Sequence, residues 1–181
     1  MKSKMESLIK LSGIIIIVIF IILYKFKMPA SVLEYWDLIL ESSGYSVIAI
    51  VIYYERYLWK YNPFVKIPRL RKKYTAVLSY NYKGKFEKKN VKIEIKQSFL
   101  STDVKLKSNE ISSKTITSDL VEENGEFVLY YTYITNPLSR CSDENPIQIG
   151  TCKLVIDNIN DIRGNYWTSR KTIGDLHFHS I

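Results

Sequence analysis

From Leu11 to Tyr24 the chain reads LSGIIIIVIFIILY, fourteen positions without a charge. Extending the run from Leu8 to Phe26 admits only Lys10 and Lys25, close to its ends, where long side chains can reach an interface. About 19 helical residues at 1.5 Å rise span roughly 28 Å, close to the hydrocarbon thickness of a bilayer. A second apolar run, LILESSGYSVIAIVIYY from Leu38 to Tyr54, is broken only by Glu41. Tyr53, Tyr54, Tyr57, Trp59 and Tyr61 end it as a belt of the kind found at membrane–water interfaces. Pro29 and the polar stretch to Asp37 read as the connection. The pattern therefore predicts a transmembrane hairpin over 1–61, with helices at about 8–26 and 38–59. Lys2 and Lys4 also resemble the start of a signal peptide, but Met28-Pro29-Ala30 is a poor cleavage site.

From Tyr74 onward the period changes to two. Val91, Ile93 and Ile95 alternate with Lys92, Glu94 and Lys96, and Val104 and Leu106 with Lys105 and Lys107. Such alternation gives a strand one buried and one solvated face. Further strands are predicted at 75–83, 111–120, 126–135, 148–156, 163–171 and 174–180. Turn signals separate them at Lys83-Gly84, Ser108-Asn109, Asn124-Gly125, Asn136-Pro137, Asn158 to Asp161, and Gly174. About eight short antiparallel strands in 74–181 fit a small up-and-down, lipocalin-like β-barrel, which leaves no exposed edge. A β-sandwich has the same periodicity.

Charge changes this picture in one respect. Residues 1–73 carry 12 Lys/Arg against 5 Asp/Glu, a net +7 of the chain's +8. The basic excess flanks the apolar runs, and 62–73 reads as a basic juxtamembrane linker. The partner it favours is lipid headgroups rather than a nucleic-acid polymer. Basic residues precede and follow the hairpin, while its loop offers only Lys25 and Lys27, countered by Glu34 and Asp37. The positive-inside rule then places both termini and the barrel in the cytoplasm.

Candidate chemistry is sparse. Ser42, Ser46 and Ala49 share one face of the second helix, and small residues at that spacing let helices approach closely, within the hairpin or between copies. If Leu129 points into the barrel, so do Tyr131 and Tyr133, with Asn136 just past the strand end. If Tyr166 points in, so do Gly164, Thr168, Arg170 and Thr172. A buried Arg needs an anion, and its planar fork suits a phosphate; otherwise Arg170 faces solvent. Cys141 and Cys152 read as free thiols. His177 and His179 share a strand face, but a metal site needs a further ligand, and no Cys or His cluster supplies one. No Ser–His–Asp arrangement, carboxylate pair or Gly-rich phosphate loop is present, so the expectation is a protein without enzymatic activity or cofactor.

In order along the chain stand a membrane hairpin, Tyr82-x-Gly84, and Val91-x-Ile93-x-Ile95-x-Gln97-Ser98. There follow Leu129-x-Tyr131-x-Tyr133-x-x-Asn136-Pro137 and Gly150-Thr151-x-x-Leu154. The last block is Gly164-x-Tyr166-x-Thr168-x-Arg170-x-Thr172-x-Gly174. This arrangement resembles the SMODS-associating two-transmembrane, β-strand-rich effectors of bacterial CBASS antiphage defence. The resemblance implies an inner-membrane protein whose barrel senses a cyclic dinucleotide made by a partner CD-NTase. It further implies that binding drives homo-oligomerisation, and that the helices then disrupt the membrane and kill the infected cell. The family motif maps onto Gln97, Tyr131, Tyr133, Asn136, Thr168, Arg170 and Thr172. A membrane-tethered, lipocalin-like binder of an apolar ligand and a structural envelope protein are the alternatives.

Overall fold

The computed structural model describes residues 2–63, 65–82, 85–141, 143 and 146–180. They form two compact units. One runs to Val65 and takes in Ser98–Leu100; the other comprises Lys66–Gln97 and the chain from Ser101 onward.

The first unit holds α1 (Lys2–Lys27) and α2 (Val32–Ile48), the latter continued by a π-helical turn, Ala49–Tyr54. Two helical stretches, Lys4–Lys27 and Val32–Tyr54, are long and apolar enough to cross a membrane. The second starts earlier than its hydropathy indicates, because the polar residues after Pro29 form a helix start rather than a loop. The Ser31 hydroxyl accepts from the Glu34 backbone N–H at 3.3 Å, and the Glu34 carboxylate accepts from the Ala30 N–H at 2.8 Å. This is a Ser-x-x-Glu capping arrangement, and it satisfies N–H groups that a helix start otherwise leaves without partners. The connection shrinks to Met28–Ser31, closed by Met28 at φ 43°.

Ser42 and Ser46 are fully enclosed and Ala49 is partly so. The Ser46 hydroxyl donates to the Ser12 carbonyl of α1 at 3.3 Å, while Ser42 donates to its own Leu38 carbonyl at 2.6 Å. The small-residue face thus packs within the hairpin, and Ile39, Leu40, Val47 and Val51 remain exposed. Of the aromatic belt, Tyr53, Tyr57 and Tyr61 are exposed. Tyr54 and Trp59 are buried against Phe99, whose ring lies 5.7 Å and 6.2 Å from theirs.

The second unit is a closed barrel of eight strands in sequential order, every neighbour antiparallel. They are β1 (Lys73–Tyr82), β2 (Lys85–Gln97), β3 (Thr102–Lys107), β4 (Ile111–Glu123), β5 (Glu126–Pro137), β6 (Ile149–Asn158), β7 (Asp161–Thr168) and β8 (Ile173–Ser180). Closure comes from β1 pairing β8, with Tyr74 opposite Ser180 and Tyr80 opposite Gly174. The turn at Lys83-Gly84 lies outside the described residues. Gly174 is not a turn residue: it sits inside β8, where a Cβ would come within 2.3 Å of the Ser79 carbonyl oxygen.

The end where β1 begins is filled by Tyr74, Val91, Ile93, Ile95, Leu120, Leu129, Leu154, Ile156, Ile162 and Phe178, all buried in one cluster. Burying each such side chain contributes about 1.5–3 kcal/mol. Ile67 and Leu70 pack against the same cluster. The segment before β1 is pinned there by backbone and side-chain hydrogen bonds. Gln97 accepts from the Leu70 N–H at 2.9 Å and donates to the Pro68 carbonyl at 2.8 Å. The Tyr74 hydroxyl accepts from the Arg71 N–H and donates to the Ile159 carbonyl. Residues 66–72, read from charge alone as a linker, are part of the barrel.

Candidate functional site

Along β5 and β7 the inward positions become more polar toward the opposite end, where β1 finishes. On β5 the series runs Leu129, Tyr131, Tyr133, Thr135; on β7 it runs Ile162, Gly164, Tyr166, Thr168. On β6, read from the other direction, Gly150 and Cys152 occupy the same polar level. The ladder sets Tyr131 and Tyr166 on either side of Cys152, and Tyr133 and Thr168 on either side of Gly150. Of these, Tyr131, Tyr133, Tyr166 and Thr168 were inward candidates by alternation, and the barrel brings them together with Gly150 and Cys152.

Close packing explains the glycines at this level. A Cβ on Gly150 would lie 2.4 Å from the Tyr133 hydroxyl, and one on Gly174 would lie 2.6 Å from the Tyr166 ring. The two rings therefore rest against bare backbone and form a phenolic floor, with Tyr131 centred 5.9 Å from Tyr133. Desolvation pushes the hydroxyl pKa of Tyr131, Tyr133 and Tyr166 well up, so all three remain neutral at pH 7. They can serve as hydrogen-bond partners but not as bases. Burial also pushes the Cys152 thiol up to about 12, which makes it a poor nucleophile. Iodoacetamide at pH 8 is accordingly expected to alkylate the half-buried Cys141 well before Cys152, as read by peptide mass spectrometry.

Above the floor, the Thr168 Oγ1 is buried and has no hydrogen-bond partner among the described residues. Such a group costs about 1–3 kcal/mol when left unsatisfied. Its backbone is engaged: the Thr168 N–H donates to the Thr172 carbonyl, and the Thr168 carbonyl accepts from the Lys171 N–H, both at 3.0 Å. Those bonds end β7 and form a three-residue turn, Ser169–Lys171, with Lys171 at φ 61°. The inward alternation therefore stops at Thr168. Arg170, placed on the inward face with Tyr166 by alternation, is instead exposed on the turn beside that end of the barrel, and Thr172 follows it, half-buried.

The remaining sequence candidates divide. Asn136 is exposed near the end of β5, on the same side of the barrel, and its carbonyl accepts from Ser112 at 3.3 Å. Gln97 lies at the opposite end, both halves of its amide committed to the Pro68–Leu70 segment. The geometry also supplies a cation that the sequence reading passed over. Lys89 lies two residues ahead of Val91 on the inward face of β2 and opposite Leu78. Its ammonium pairs with Glu110 of the β3–β4 turn. The signal was present, since Lys89 continues the Val91, Ile93, Ile95 alternation.

This end of the barrel thus combines neutral phenols, a partnerless hydroxyl, an Arg and a paired Lys. It suits a polar, anionic ligand better than an apolar one.

Comparison with known proteins agrees. Residues 65–180 match the family model for the Cap15 cyclic dinucleotide receptor domain. The matched segment starts close to Lys66, where the barrel unit begins, and so includes the pinned residues before β1. CD-NTase-associated protein 15 from Staphylococcus schleiferi is 38% identical over 184 residues, covering all of both chains. Hairpin, closed barrel and these matches together place the chain in the Cap15 family of CBASS effectors, with a cyclic dinucleotide receptor domain over residues 65–180.

Proposed function

We propose that the cyclic dinucleotide binds over the phenolic floor, at the end of the barrel where β7 turns into β8. The observation that carries this reading is the buried Thr168 hydroxyl, without a partner among the described residues, beside Tyr133 and Gly150. A ligand oxygen or amine would satisfy it. Arg170 supplies a charge-assisted contact to a phosphate, and Lys89 a second once Glu110 yields it. Tyr133 and Tyr166 offer hydrogen bonds and ring faces to the nucleobases. In this reading the barrel acts as a receptor, its neutral phenols and thiol offering hydrogen bonds to the ligand.

The hairpin supplies the output in this reading. Both helices anchor the chain in the bacterial inner membrane, with termini and barrel cytoplasmic, where a nucleotide made by a partner CD-NTase is found. Ligand binding promotes self-association of the chain, and the clustered hairpins disrupt the membrane and cause abortive cell death. Alkaline phosphatase fused after Lys73 is expected to be inactive, since that enzyme matures only in the periplasm; strong activity would reverse the orientation.

The ligand class is tested on the full chain in detergent by thermal shift. A matching cyclic dinucleotide at 100 times its dissociation constant should add about 2.7 kcal/mol of stability. A fatty acid should add none, because the apolar half of the interior is already filled by its own side chains. Stabilisation by the fatty acid alone would favour an apolar-ligand carrier.

A further inference from the structure

The outer face of the barrel carries a second cluster, remote from the phenolic floor. His177 and His179 are two apart on β8, so both project outward, and their ring centroids lie 3.9 Å apart. The β7–β8 ladder sets Asp161 directly opposite His179. Asp161 Oδ1 lies against His177 Nε2 and 3.9 Å from His179 Nδ1. One ligand atom from each of the three residues falls within 4.8 Å of the others. A strand His-x-His supplies two imidazoles on one face, and a cross-strand carboxylate supplies the third donor that the sequence alone did not reveal.

From this geometry we infer that Asp161, His177 and His179 form a binding site for a divalent transition-metal ion of the zinc class. Two imidazoles and one carboxylate favour Zn²⁺ or Ni²⁺ over Mg²⁺ or Ca²⁺, which prefer oxygen ligands throughout. Three protein ligands leave a fourth tetrahedral position open.

A cation already marks the spot. The Arg163 guanidinium donates to His177 Nε2 at 3.0 Å and to Asp161 Oδ2 at 2.6 Å. Nε2 faces both that donor and the Asp161 carboxylate oxygen, so a metal ion placed between imidazole and carboxylate takes over a position the two groups already share. Arg163 is largely exposed, and Asp157 is near enough to attract it, so a metal ion can displace it toward another carboxylate. An ion bound there would tie β7 to β8 beside the Asn158–Asp161 turn, independently of the dinucleotide site.

The test uses chelator-stripped full chain in detergent, carrying Cys141→Ser to remove the accessible thiol, titrated with ZnCl₂ by calorimetry. One Zn²⁺ per chain is expected at micromolar affinity or better, with no uptake of MgCl₂. His177→Ala and His179→Ala should each weaken binding by more than about a hundredfold, beyond the range that loss of an outer-shell partner alone covers. Arg163→Ala should tighten it severalfold, since it removes the competing charge. Cobalt(II) in place of zinc should give a tetrahedral visible spectrum that both histidine variants abolish. Binding only at millimolar zinc would overturn the inference, as would binding that survives both histidine substitutions. So would an Arg163→Ala variant that binds metal more weakly, because the cluster would then be an ion-pair network centred on the arginine.

Discussion

Arg170→Ala is expected to lower affinity for the cyclic dinucleotide by about one to two decades while leaving the ligand-free melting temperature nearly unchanged. A hydrogen bond to a charged group contributes roughly 1.5–3 kcal/mol, and each 1.4 kcal/mol is a factor of ten in affinity. The residue is exposed on the Ser169–Lys171 turn, so its loss removes no packing from the barrel, and surface substitutions of that kind usually stay within about 0.5 kcal/mol. Thr168→Val makes the companion case, and its two effects have opposite signs. The substitution keeps the shape of the side chain and removes a buried hydroxyl that has no partner among the described residues. The ligand-free chain should therefore become more stable, by up to about 1–3 kcal/mol, while the ligand loses a contact. Thermal melts and calorimetric titrations of the same samples read both. A Thr168→Val chain that is less stable and binds normally would remove this hydroxyl from the site.

Ser46→Leu is expected to spare ligand binding and abolish membrane disruption. Ser46 is enclosed between α1 and α2, and its hydroxyl meets the Ser12 carbonyl at 3.3 Å. Three added carbon atoms have no room there; overpacking costs about 1–3 kcal/mol, and an interhelical hydrogen bond in lipid adds about 0.6. Because the barrel is a separate compact unit, dinucleotide affinity should remain at the wild-type value. Dye release from liposomes containing the reconstituted chain, triggered by the dinucleotide, measures the output. Full release by this variant would show that close packing of the hairpin is not needed for disruption.

The strands were legible because alternation is a strong signal: Val91, Ile93 and Ile95 could face only one way, whereas the choice of a barrel over a sandwich rests on the pairing of β1 with β8, which periodicity does not carry. The site was legible to the extent that it lies within those strands, which is why Tyr131, Tyr133, Tyr166 and Thr168 meet where expected. Arg170 fell on the far side of a boundary that the sequence hides. Ser169-Arg170-Lys171 has only a serine to mark a turn, with no Gly, Pro, Asn or Asp, and Lys171 adopts a positive φ all the same. Gly174 misled in the opposite sense, since it serves close approach to Ser79 and Tyr166 rather than chain reversal. The role of Gln97 depends on chain folding back 27 and 29 residues away, beyond the reach of any local pattern. Asp161 likewise joins the two histidines only through the β7–β8 register. The start of α2, by contrast, was readable in Ser31-x-x-Glu34, but hydropathy outweighed capping chemistry there.

Amide hydrogen exchange of the full chain in detergent, with and without saturating ligand, tests most directly where the dinucleotide binds. Protection is expected in peptides covering Tyr131–Asn136 and Thr168–Gly174, with little change in those covering Asn158–Asp161 and Ile67–Arg71 at the other end of the barrel. Protection confined to the Asn158–Asp161 and Ile67–Arg71 peptides, with the phenolic floor unaffected, would contradict binding over that floor.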